Sequence, residues 1–161
     1  MTTAQVKRSE FATFMNTTPS STATYALVGD GITSAEISYN PETEEYTFIH
    51  QDSGTTNLKS YKPAMPVEAI AVAGDSVFDF VDGLRQSRAI LDSAKTDIVN
   101  VWLYEAATSG AYPAEKQDVI ISIESFGGEG GDTAKINYTL NYAGDPVAGT
   151  FNPSTKARTA S

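Results

Sequence analysis

The 161-residue chain contains no cysteine, a single histidine and a single tryptophan. Without cysteine there are neither disulfide staples nor thiolate metal sites, and a small secreted disulfide scaffold has no support. One histidine, His50, leaves little room for imidazole chemistry. A Ser-His-Asp site needs it between a nucleophile and an orienting acid, and no nucleophile-elbow glycine pattern occurs. No run is long and apolar enough to span a bilayer, and the start, MTTAQVKRSE, lacks an apolar signal core, so synthesis in a cytoplasm and no membrane partner are expected. Positive charge is scarce as well: 11 Lys and Arg stand against 20 Asp and Glu, a net charge of −9. The first 20 residues are net positive by one and the stretch from Pro146 by two, which leaves −12 on the body between them. Such a body repels nucleic acid, and the basic aromatic patches that read bases are missing.

What is present is enough apolar side chain, 40% of the residues, for one real core in one domain. Residues 1–24 form an expected N-terminal arm, rich in Thr, Ser and Ala, with Phe11 and Phe14 as anchors. Residues 25–151 form the domain and 152–161 a tail. In the domain, Ala35, Ile37 and Tyr39 alternate with Ser34, Glu36 and Ser38, the period of a half-buried strand. Asn40-Pro41-Glu42-Thr43 reads as a turn and Tyr46 to His50 as the returning strand of a long hairpin, with Gly29-Asp30-Gly31 at the preceding corner. Asn57 to Tyr61 and Val67 to Val72 are further strands. Asp75 or Ser76 caps a helix running to Arg88, with Val77, Phe80, Val81 and Leu84 near helical spacing. Ile98 to Tyr104, Val119 to Ser125, Lys135 to Tyr142 and Val147 to Phe151 return to strands. The sum is a mainly β domain: a two-sheet β-sandwich or partly open barrel with one flanking helix.

Candidate chemistry is thin. Phe126-Gly127-Gly128-Glu129-Gly130-Gly131-Asp132 lacks the Gly-Lys-Ser/Thr of a phosphate loop, and its carboxylates repel phosphate; it reads as a connection between strands. Asp75, Asp79 and Asp82 lack the alternation of a calcium loop and read as a helix cap and wet face. Glu42, Glu44 and Glu45 read as a solvated hairpin tip. Trp102 reads as a packing residue. No catalytic residue, cofactor or metal is expected, and the chain is not read as an enzyme.

The run from the aromatic-led strand at Tyr25 through Val28-Gly29-Asp30-Gly31-Ile32, Ile37-Ser38-Tyr39-Asn40-Pro41-Glu42 and Tyr46-Thr47-Phe48-Ile49 resembles the opening hairpin of the tail tube, or major tail, proteins of long-tailed bacteriophages. Gly54-Thr55-Thr56, Tyr61-Lys62-Pro63, an apolar strand and a short helix continue the resemblance in order. It implies a structural virion protein whose copies form stacked rings, six to a ring, around a channel that conducts DNA and encloses a tape measure protein, with tail-tip and terminator proteins at its ends. Under that resemblance Glu36 and Glu124 are candidates for a negative lumen, with Lys135 as partner to one of them. Phe11, Phe14, Asn40, Pro41, Glu42, Glu44 and Tyr61 are candidates for contacts between subunits or rings. The long flexible tail type is favoured. The alternative is a monomeric β-sandwich binding module for carbohydrate or adhesion.

Overall fold

The computed structural model describes residues 3–160. Its strands are β1 (Phe11–Asn16), β2 (Tyr25–Leu27), β3 (Ile32–Ala35), β4 (Pro41–Tyr46), β5 (Thr55–Tyr61), β6 (Ala64–Ile70), β7 (Lys95–Trp102), β8 (Tyr112–Gly127), β9 (Lys135–Asn152) and β10 (Ala157–Ala160), with helix α1 (Ser76–Ser87) between β6 and β7. Eight strands make one sheet in the order β2-β1-β7-β8-β9-β6-β3, with β10 against the later part of β9, while β4 and β5 form a separate two-stranded sheet. The two end strands of the main path, β2 and β3, are consecutive in the chain and joined by residues 28–31 alone. A link that short spans at most roughly 18 Å, so the sheet curls until its edges approach. Of the two arrangements expected from the sequence, the partly open barrel is the one formed.

Alternation decides what the curl encloses. Met65, Val67 and Ala69 of β6 and Ile136, Tyr138 and Leu140 of β9 point inward, where they meet Met15, Ile98, Val119 and Ile121. Helix α1 covers one end of this core with Val77 and Val81, one turn apart and both buried. Asp75 starts the helix by accepting a 3.0 Å bond from the Phe78 N–H, as its position before the apolar stripe suggests. Arg88 ends it in a left-handed conformation with φ 50°.

A second, smaller core lies on the other face, built from Phe14, Val99, Val101, Ala114 and Phe151. Phe14 pairs with Val99 and Met15 with Ile98, so neighbouring residues feed opposite cores. Strand β7 is therefore buried without a break from Ile98 to Val101, which accounts for its nearly continuous apolar sequence.

Five expectations are corrected. Residues 11–16 do not belong to an arm: β1 lies inside the sheet between β2 and β7. Phe14 is only 4% exposed within its own chain, and its ring sits 4.6 Å from that of Phe151, so it is not free to anchor on another subunit. The opening hairpin does not form as read, because β3 stops at Ala35 and pairs with β6, while Pro41 to Tyr46 is a strand paired with Thr55 to Tyr61. Proline at the first position of an edge strand gives up no ladder bond, so the Asn-Pro step marks a strand start and not a turn. Finally, Lys135 to Tyr142 and Val147 to Phe151 are halves of one strand, β9, which runs beside β8 in a long hairpin. Part of the expected tail, β10, returns to pair with Gly149 to Asn152.

Candidate functional site

The outer face of β3, β6, β9 and β8 is polar in rows. Ser34, Glu68, Asn137 and Ser125 stand side by side across the four strands, and Pro66, Thr139 and Ser122 form the next row. These side chains bond to one another: the Asn137 amide donates to Ser125 Oγ at 3.0 Å, and the Asn141 amide donates to Ser122 Oγ at 3.0 Å. Ser34, Pro66 and Glu68 are exposed and Asn137 and Thr139 half-buried, while the end of α1 and residues 89–94 stand beside Ser122, Glu124 and Ser125 at the β8 margin, so the face is wet over most of its width.

Glu124 belongs to this face. It occupies a bulge between Ile123, which pairs with Tyr138, and Ser125, which pairs with Asn137, and its carboxylate accepts from Ser122 Oγ at 3.2 Å. Glu36 is exposed just beyond the end of β3, next to Arg8, Phe11 and Trp102. Three strand spacings, about 14 Å, separate the β3 and β8 edges of the face, so the two glutamates do not form a pair. Glu68, on β6, belongs to the same face, and the alternation of Met65, Val67 and Ala69 inside against Pro66 and Glu68 outside is its sequence signal. Lys135 pairs with neither Glu36 nor Glu124, but with Asp132 at 3.6 Å.

The β4–β5 hairpin is the second feature. It exposes Tyr46, Phe48, Leu58 and Tyr61, and Ile49 at its tip is 107% exposed. The tip lies at residues 47–54, where the rings of Tyr46 and Phe48 are 6.2 Å apart and those of Phe48 and His50 6.4 Å apart. Asn40 to Glu45, expected at the tip, instead make the root and first strand. Asn40, with φ 45°, donates to the Lys62 carbonyl at 3.0 Å, and Glu42 accepts from Lys62 Nζ at 2.7 Å. The Lys62 ammonium and the Ser60 hydroxyl hold the Glu42 carboxyl below its ordinary range. Pro41 pairs with Tyr61, and Glu44 with Asn57. A free two-stranded hairpin is marginal in water, so this one needs a cover.

The other candidate groups are occupied structurally. Phe11 is half-buried, stacked on Trp102 at 5.3 Å with the Arg8 guanidinium 4.9 Å above its ring. Asp79 accepts from the Gly74 N–H at 3.3 Å, and Asp82 pairs with Arg85 at 2.7 Å. His50 is exposed in the hairpin tip. The glycine-rich segment connects β8 to β9, with positive φ at Gly127, Gly128 and Gly131.

The curled sheet with its covering helix is similar in fold to three solved components of phage-like tails and tubes. The tail of an empty GTA particle with C6 symmetry superposes with a TM-score of 0.63 over 88% of this chain and 97% of that one, at 13% identity. A sheath/tube terminator of the extracellular contractile injection system PVC, in its extended state, gives 0.54 over 92% and 99%, at 14% identity. The tube-terminating cap of the anti-feeding prophage gives 0.53 over 93% and 94%, at 16% identity. No protein-family model matches the chain, and no curated protein does.

Proposed function

We infer that this protein is a structural subunit of a phage-type tail, carried in the particle and not an enzyme. Six copies close a ring, the polar outer face of β3, β6, β9 and β8 lines the channel, and DNA passes through it without specific binding. The observation that carries this reading is that polar face: rows of Ser, Thr, Asn and Glu, with Pro66 and Ile120 among them, on a sheet surface in a fold similar to that of a particle tail. Lining by Glu68 and Glu124 keeps phosphates from binding, because each bound phosphate would have to be released as the DNA moves. Closing the ring also removes the free edges of the sheet. The bare apolar hairpin supplies contacts to the next ring. A tape measure protein inside the tube and tip and terminator proteins at its ends are the partners of this role, and a long flexible tail is the type favoured.

Terminator proteins are two of the similar structures, which supports a second reading: a single ring that ends a tube. Negative-stain electron microscopy of the concentrated protein separates the two. Stacked hollow tubes support the repeating subunit, and isolated rings support the terminator. Monomers that persist after addition of tail-tip seeds would return the protein to a monomeric β-sandwich binding module.

A further inference from the structure

Helix α1 covers one end of the curled sheet; the other end is open. There, at the root of the β4–β5 hairpin, lies a cleft of about 710 Å³ whose walls include Tyr39, Tyr61, Trp102, Tyr142, Glu115 and Asp145. The Tyr39 ring stands edge-on to that of Tyr61, 6.2 Å away. Trp102 is steadied from behind by its stack on Phe11. Tyr142 is fixed by the Asn100 amide, which donates to its hydroxyl at 3.1 Å. Asn100 is itself fully buried and tied to Thr13 Oγ1 at 2.9 Å.

This is a cage of aromatic walls around a carboxylate. Aromatic faces attract cations, and an ammonium or guanidinium against several rings is bound more strongly still beside a negative group. Yet among the described residues no lysine or arginine lies within 4.0 Å of Glu115 or Asp145. Lys116, the nearest in sequence, turns to Asp118. Glu115 is half-buried, and that burial raises its pKa, with the neighbouring Asn100 amide as partial compensation. Burial, then the charge of Glu115, also raises the pKa of Tyr39. A partly desolvated carboxylate is kept here without a cationic partner among the described residues.

We propose that this cleft receives a lysine or arginine side chain from a second copy of the chain, its charge on Glu115 and its stem against Tyr39, Tyr61 and Trp102. Charge complementarity and position name the occupant. Lys59, Lys95 and Arg88 are exposed and form no ion pair within 4.0 Å among the described residues. The cleft is also continuous with the bare hairpin, the surface assigned above to contact between copies. The cation site stands on the cleft itself; its occupant rests on the proposed assembly.

Trp102 is the only tryptophan and reports on the cleft. The full-length protein is titrated with N-acetylargininamide, and in parallel with the uncharged N-acetylcitrullinamide, while tryptophan emission is followed. A saturable change with the first alone is expected, weakened at least about tenfold by Glu115→Gln, the loss typical for a hydrogen bond to a charged group. Tyr61→Ser, on the exposed hairpin and clear of the barrel core, gives a similar weakening. Sedimentation velocity then reads association: N-acetylargininamide lowers it in the wild type and has no further effect in Glu115→Gln, whose association is already reduced. No saturable response, or an equal response to the citrulline compound, overturns the cation site. Normal rings from Glu115→Gln overturn the occupant while leaving the tail role standing. Binding of N-acetylargininamide by a chain that never associates supports the cation site and overturns both the second-copy occupant and the tail role.

Discussion

Gly149 of β9 and Thr159 of β10 face each other so closely that a Cβ on Gly149 would overlap the Thr159 carbonyl oxygen. The two residues lie in adjacent rungs, Gly149 opposite Ala160 and Thr150 opposite Thr159. Gly149→Ala is expected to push β10 off the sheet or to cost about 1–3 kcal/mol, the usual penalty for overpacking. Denaturant melts give the cost, and amide exchange at residues 157–160 shows whether the strand has left.

Gly83 is the opposite case. It lies on the exposed side of α1, and a Cβ added there meets nothing within 4 Å. Gly83→Ala should stabilise the protein by about 1 kcal/mol, the difference in helix propensity. An unchanged or lowered urea midpoint would show that this helix face is covered in the folded protein.

Phe14, read from the sequence as an anchor for a neighbour, is packed on Phe151 in the second core. Phe14→Ala is expected to cost about 3–5 kcal/mol of monomer stability. An anchor would instead lose association at constant stability, so thermal melts at dilutions where only monomer is present decide between the two roles.

Phe48→Ser and Ile49→Ser, at the tip of the free hairpin, carry the reverse expectation. Both side chains are exposed, so monomer stability should move by no more than about 0.5 kcal/mol, while self-association measured by sedimentation falls. Full association in the double variant would remove the tip from the contact surfaces.

Glu115 makes stability depend on pH. Burial raises its pKa in the folded chain above the unfolded value, so the folded state holds a proton that the unfolded state has lost. The stability tied to that proton is complete below the unfolded pKa and is lost as pH rises through the folded one. Glu115→Gln removes the loss. At neutral pH the variant monomer should be the more stable of the two, with the gap closing as pH falls below the ordinary glutamate range. A gap that does not change with pH would assign the effect to packing.

Much of the fold was legible because it is written in local patterns. The helix follows from a capping aspartate and apolar residues a turn apart, and its observed span of Ser76–Ser87 lies within the range read from the sequence. The best alternation, at Lys135 to Tyr142, is the central strand β9. The opening hairpin is not legible from the sequence because local chemistry is ambiguous there. Asn40-Pro41 suits a turn, and Glu42, Glu44 and Glu45 are poor strand formers. Only cross-strand partners, Lys62 and Ser60 on Glu42, make that segment a strand. The candidate site was legible in part: Glu124 and the Ser, Thr and Asn face follow from period two, but Glu68 was hidden in a strand read as plainly apolar.

The sequence by itself determined that this is a cysteine-free, acidic, mainly β chain with one helix, since composition and periodicity are properties of neighbours along the chain. Tertiary structure alone decided that Phe11 to Asn16 lies inside the sheet, that Pro41 to Tyr46 turns away from it, and that Trp102, Glu115 and Tyr142 share a cleft. Those outcomes depend on pairing between strands 80 or more residues apart in some cases, such as Phe14 with Val99. No local period carries that information, because each strand's apolar stripe fits several partners equally well and the competition is settled only when the whole sheet closes.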